Sequence, residues 1–171
     1  MTVSTTRQNG FTIVELLIVI VVIAILAAIT IVAYNGIQNR AYDSTVQADL
    51  HNMATKMGSA KVLNGGNPPT ADEAGLKDVL ALSKSAYQAR GGTSLLYCRT
   101  DKDYALVAQS KSGQAYVMEN GSIRKIGSWG GSNDNNACGA NTTIGLQYGS
   151  DAGYAYTNLY RDSTWQSYVP D

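Results

Sequence analysis

The 171-residue sequence is short of the side chains that usually carry chemistry. Two cysteines and one histidine are too few for the soft or imidazole ligand clusters that build zinc sites. No CxxC, HExxH, G-x-S-x-G or P-loop pattern is present, so dithiol redox, metalloprotease, serine-hydrolase and nucleotide-phosphate chemistry lack their usual residues. Charged residues make up 15% of the chain, against about 25% in typical soluble domains. The 13 basic and 13 acidic side chains cancel, and without a basic stripe there is no electrostatic footprint for nucleic acid. The sequence is therefore not expected to be an enzyme, or to hold a cofactor or metal. By length alone about one domain is expected.

The apolar residues are concentrated at one end. Phe11 to Ala33 reads FTIVELLIVIVVIAILAAITIVA, and its only charge is Glu15. Between residues 16 and 33 the one polar side chain is Thr30, and neither proline nor glycine interrupts the run. About 20 apolar residues at 1.5 Å per residue span a hydrocarbon core, so this reads as a membrane-inserting helix. A strand of that length would leave backbone groups unpaired in lipid. A core helix apolar on every face would be unusual in so small a chain. Ten residues precede the run, MTVSTTRQNG, with one basic charge at Arg7. A secretory signal would have a shorter apolar core, about 7–15 residues, followed by a small-residue cleavage site. Glu15 needs its own account, since a carboxylate is disfavoured in lipid. Close to the interface, the helix dipole makes an acid in the first turns tolerable.

Gly10-Phe11-Thr12-Ile13-Val14-Glu15-Leu16, followed by a long apolar helix, resembles the processing site of type IV prepilins and pseudopilins. The resemblance implies cleavage between Gly10 and Phe11 by a membrane prepilin peptidase, which also N-methylates Phe11, so that the apolar helix is kept. It implies that Glu15 acts in filament assembly by pairing with a neighbour's N-terminal ammonium. Four residues is about one helical turn, which would put Glu15 on the face of the Phe11 amine. Two charges that are each unfavourable in apolar surroundings become tolerable as a pair. The sequence departs from the family pattern at three places. Arg7 stands alone in the leader, Val32 lies where many pilins have proline, and Ala24 lies where glycine is frequent. Without those breakers the helix is expected to stay more continuous through residues 24–34 in the filament than is usual for pilins.

The expected organisation is α+β: a leader at 1–10, a membrane or filament-core helix at 11–34, an amphipathic half at 35–63, and a head at 64–171. In the second half Val46, Leu50, Met53, Met57 and Ala60 recur at helical spacing and form one face. Gln47, Asp49, Lys56 and Lys61 fall off that face, and His51 reads as a solvated residue. Unbroken from Phe11 to Leu63, such a helix would be about 80 Å long. Asn64-Gly65-Gly66-Asn67-Pro68-Pro69 ends it. Thr70 and Glu73 read as a capping box opening a short helix to about Ser85, with Leu76, Val79 and Leu80 inward. Strands are predicted at 94–99, 104–110, 114–119 and 122–126, with a hairpin at Asn120-Gly121. They make a four-stranded antiparallel meander laid on the helix, which is also the head the resemblance implies. Residues 127–171 read as a loop region with one or two short strands around 152–159. Its aromatics, Tyr148, Tyr154, Tyr156, Tyr160, Trp165 and Tyr168, serve either packing or an adhesive surface.

Cys98 and Cys138 lie in the part expected outside the cytoplasm, where an even count suggests a disulfide. Two free thiols are the alternative. Pilins commonly staple this region, so the resemblance favours the bond. Asp101, Asp103 and the run Asn133–Asn136 offer oxygens to calcium, but without EF-hand spacing.

The functional expectation is a structural subunit of a type IV pilus or pilus-like filament. It would be a single-pass membrane precursor and then part of an extracellular pilus or pseudopilus. Its partners would be copies of itself or related pilins, the prepilin peptidase/methyltransferase, the inner-membrane platform with its assembly ATPase, and, before assembly, the lipid bilayer. The alternatives are a pseudopilin of a type II secretion or DNA-uptake system, and a membrane-tethered adhesion domain that never polymerises.

Overall fold

The structure, a computed structural model, describes residues 10–71, 73–88, 94–127, 138–139, 141–144, 155–158, 160–161, 164–165 and 169. The chain divides into two compact units, Met1–Gln38 and Asn39–Asp171, and the boundary falls within a single helix, α1 (Ile13–Leu63). In this single chain α1 runs without a break through residues 24–34, where neither Pro nor Gly interrupts it. It starts two residues later than the expected Phe11, for a reason given with the site below. Its end is a Schellman motif. The Gly66 N–H donates to Lys61 O at 2.8 Å and the Gly65 N–H to Val62 O at 3.3 Å. Gly65 takes φ +65°, a left-handed conformation that glycine adopts without a Cβ penalty.

In the second unit, the expected face of α1 is the core. Val46, Leu50, Met53 and Met57 are fully buried and Ala60 partly so. His51 is exposed. One expectation fails here, because Asp49 lies inside this face at 8% exposure. Its carboxylate Oδ2 accepts the Ser83 N–H at 2.7 Å and the Tyr87 hydroxyl at 3.1 Å. A buried polar group that is hydrogen-bonded in this way can replace an apolar one.

The segment after α1 also departs from expectation. The helix expected to reach about Ser85 is only one turn, α2 (Glu73–Leu76), followed by turns and a 3₁₀ segment at Lys84–Ala86. Leu76, Val79 and Leu80 are nonetheless buried, as their spacing predicts. The chain leaves the helix because other partners take its backbone. Asp49 takes the Ser83 amide, and the Gln88 N–H donates to Gln109 O at 2.9 Å on a neighbouring strand. Gly75 is needed for close approach, since a Cβ there would lie 2.3 Å from Thr70 O. The side chain of Glu73, and with it the Thr70–Glu73 capping box, lies outside the described residues.

The four expected strands form β1 (Leu95–Arg99), β2 (Tyr104–Gln109), β3 (Ala115–Glu119) and β4 (Ser122–Gly127), each antiparallel to the next. Asn120 at φ 47° and Gly121 at φ 93° make the two-residue turn whose positive φ values suit an Asn-Gly pair. The Asn120 side chain adds to the turn by accepting the Tyr104 N–H at 3.2 Å and donating to Asp103 Oδ1 at 3.0 Å. A fifth strand, β5 (Ala155–Asn158), pairs with β1, giving the order β4-β3-β2-β1-β5. A short hairpin, β6 (Tyr160–Arg161) with β7 (Thr164–Trp165), follows.

Alternation along the strands sends side chains to two faces. Leu95, Tyr97, Leu106, Ala108, Tyr116 and Met118 pack with the buried face of α1. Leu96, Cys98, Ala105, Val107 and Val117 form a second cluster with Cys138, Ile126 and Ile144. Cys98 and Cys138 are joined in a disulfide with a Cα–Cα distance of 5.9 Å, which anchors the later segment to the far face of β1.

Candidate processing and assembly site

The backbone at Gly10, Phe11 and Thr12 is not helical, and the first helical residue is Ile13. The Gly10–Phe11 peptide bond therefore lies outside the helix. Gly10 is exposed, and a Cβ built on it would meet nothing within 4 Å. The fold itself places no demand for glycine at this position. Phe11 is 87% exposed.

Thr12 ends the non-helical segment as an N-cap. Its hydroxyl oxygen accepts the Glu15 N–H at 3.2 Å, while its own N–H and hydroxyl donate to Glu15 Oε2 at 2.9 and 2.7 Å. This reciprocal arrangement is a capping box, in which a Thr and an acid three residues on satisfy each other's polar groups. It explains why α1 starts at Ile13. Phe11 precedes the cap, so its backbone nitrogen and Glu15 are not stacked on one helical face. Instead the carboxylate turns back over the start of the helix. The contribution of Thr12 was missed in reading the sequence, although Thr12-Ile13-Val14-Glu15 carries the T-x-x-E spacing that reveals it.

Beyond the cap, the large apolar side chains from Ile13 through Ile37 are exposed. α1 is long and apolar enough to cross a membrane, and none of its most apolar stretch is buried within the chain. The one polar side chain in that stretch, Thr30, is satisfied by donating to Ala27 O at 2.9 Å, as lipid requires. Glu15, in the first turn of this apolar helix, has two donors from its own chain.

The other candidate residues are elsewhere. Cys98 and Cys138 form the disulfide described above. Asp103 is taken up by Asn120 in the β3–β4 turn. Among the described residues, no group of three His, Cys, Asp or Glu side chains comes together. Asn133–Asn136 lies outside the described residues, as do the side chains of Tyr148, Tyr154, Tyr156, Tyr160, Trp165 and Tyr168.

No curated protein and no solved structure matches the chain. A family model described as the prokaryotic N-terminal methylation motif matches residues 5–31. That interval contains Gly10, Phe11, the Thr12–Glu15 cap and most of the exposed apolar stretch. With the membrane-length helix, it marks a membrane-anchored precursor. The chain carries the type IV prepilin signature.

Proposed function

We propose that this protein is a structural subunit of a type IV pilus or pilus-like filament. It is made as a membrane-anchored prepilin, cleaved after Gly10, N-methylated at Phe11, and polymerised through the helix of residues 11–34. The observation that carries this reading is the methylation motif over residues 5–31, with an acid at Glu15 inside an otherwise charge-free apolar stretch. Cleavage creates an ammonium at Phe11. In apolar surroundings that ammonium and a neighbour's Glu15 carboxylate are each unfavourable alone and compatible as a pair. The pair then sets the stagger between subunits. Force for assembly comes from a separate ATPase, since this sequence has no phosphate-binding loop.

The test is Glu15→Ala in cells that produce the filament. The expected result is a cleaved, membrane-bound subunit with few or no filaments by electron microscopy. Normal filaments in that variant would remove the mechanism. The length of the fibre in the wild type separates a surface pilus from the short pseudopilus of a secretion or DNA-uptake system.

A further inference from the structure

We propose that Thr12 is a positioning residue that holds Glu15 ready for the neighbouring subunit's ammonium. The inference rests on the reading of Glu15 as an assembly residue and adds what prepares it. Both hydrogen bonds that Thr12 donates to the carboxylate, from its N–H at 2.9 Å and its hydroxyl at 2.7 Å, fall on the same oxygen, Oε2. The Thr12 hydroxyl is itself held by the Glu15 N–H at 3.2 Å. The three contacts tie the far end of the Glu15 side chain to the backbone on which it stands. Its rotamer freedom is therefore removed before any partner arrives, and association need not bear that entropy loss.

None of the described hydrogen bonds falls on Oε1. A carboxylate has two oxygens and about four acceptor sites, so the intrachain clasp and an incoming ammonium do not compete for one atom. The ammonium is a compact donor without a fixed planar geometry, and one oriented oxygen is enough to receive it. The clasp also gives the charge partners during the stage when the precursor is in the bilayer and no neighbour is present.

The alternative is that Thr12 serves only to start the helix. Glycine is almost as good an N-cap as threonine but has no side-chain donor, so it separates the two roles. The experiment compares wild type, Thr12→Ser, Thr12→Val, Thr12→Gly and Glu15→Ala as full-length chains in the producing cells. It measures membrane-bound subunit, cleaved fraction and sheared filament. Thr12→Ser should assemble as wild type. Thr12→Val and Thr12→Gly should lose filament by about tenfold, the scale of one lost hydrogen bond to a charged group, with membrane amount and cleavage unchanged.

Three results overturn the proposal while leaving Glu15 in its role: wild-type assembly of Thr12→Val, normal assembly of Thr12→Gly with only Thr12→Val impaired, or failure of Thr12→Ser. Normal assembly of Glu15→Ala overturns both readings.

Discussion

Asp49 sits among Val46, Leu50 and Met53 on the buried face of α1 and carries an electrostatic consequence. Burial raises its carboxyl above the ordinary value of 3.8, against the opposing pull of its bonds to Ser83 and Tyr87. Burial, and after it the charge and hydrogen bond of Asp49, push the Tyr87 phenol well above its usual 10.0. A carboxyl raised in the folded state favours folding while protonated. Its contribution is fully present below about pH 4 and is lost as pH rises through the folded value. Wild-type stability should therefore fall relative to Asp49→Asn between pH 4 and the higher folded value, then run parallel above it. Denaturant midpoints for the two proteins across that range test the sign, and a relative rise of the wild type would refute it. At Gly10 the expectation is different, because an added side chain meets open space. Gly10→Val should leave the fold and membrane insertion unchanged and block trimming, seen by mass spectrometry as a chain that retains its first ten residues. A correctly trimmed Gly10→Val subunit would show that glycine is not what the peptidase reads.

At the scale of elements, α1 is decided by two local devices and a long apolar run between them. Thr12 starts it and the Gly65-Gly66 motif stops it. Gly65→Ala forces a Cβ into the left-handed region and should destabilise the protein by about 1 kcal/mol, read from chemical denaturation. Between the caps, Ala24 and Val32 leave the helix unbroken. In an assembled filament this segment is expected to remain helical, and a reconstruction with residues 24–34 unwound would contradict it. The meander was readable for a related reason. Its first three strands are short segments rich in aromatic and aliphatic residues, bounded by turn residues, and the Asn120-Gly121 pair favours a two-residue hairpin turn. The segment after Thr70 was misread because its apolar spacing suits a helix, while the decisive partners, Asp49 and Gln109, lie far away in sequence.

For the head as a whole, both faces of the sheet are covered. α1 covers one face. On the other, residues 138–139 and 141–144 are held by the disulfide and by polar ties, with Arg124 Nη2 donating to Asn141 O at 2.7 Å and the Thr143 hydroxyl donating to Glu119 Oε2 at 3.1 Å. The disulfide spans 40 residues, for which the chain-entropy account gives about 4 kcal/mol. The double variant Cys98→Ser/Cys138→Ser should lose stability on that order. A melting temperature within a degree or two of wild type would show that packing alone holds the segment. Cys98 and Cys138 are both fully buried, so the native bond should resist mild reductant until the head unfolds.

By itself, the sequence determined the long apolar helix, the N-terminal methylation motif within residues 5–31, and the four strands of the meander. These are local patterns, in which neighbours along the chain carry the physical cause. The tertiary structure alone decided that Asp49 is buried, that the chain after Leu76 leaves the helix, that β5 joins the sheet beside β1, and that the sheet has a second covered face. Each of those depends on groups tens of residues apart meeting at hydrogen-bonding distance, and no periodicity in the chain records that meeting.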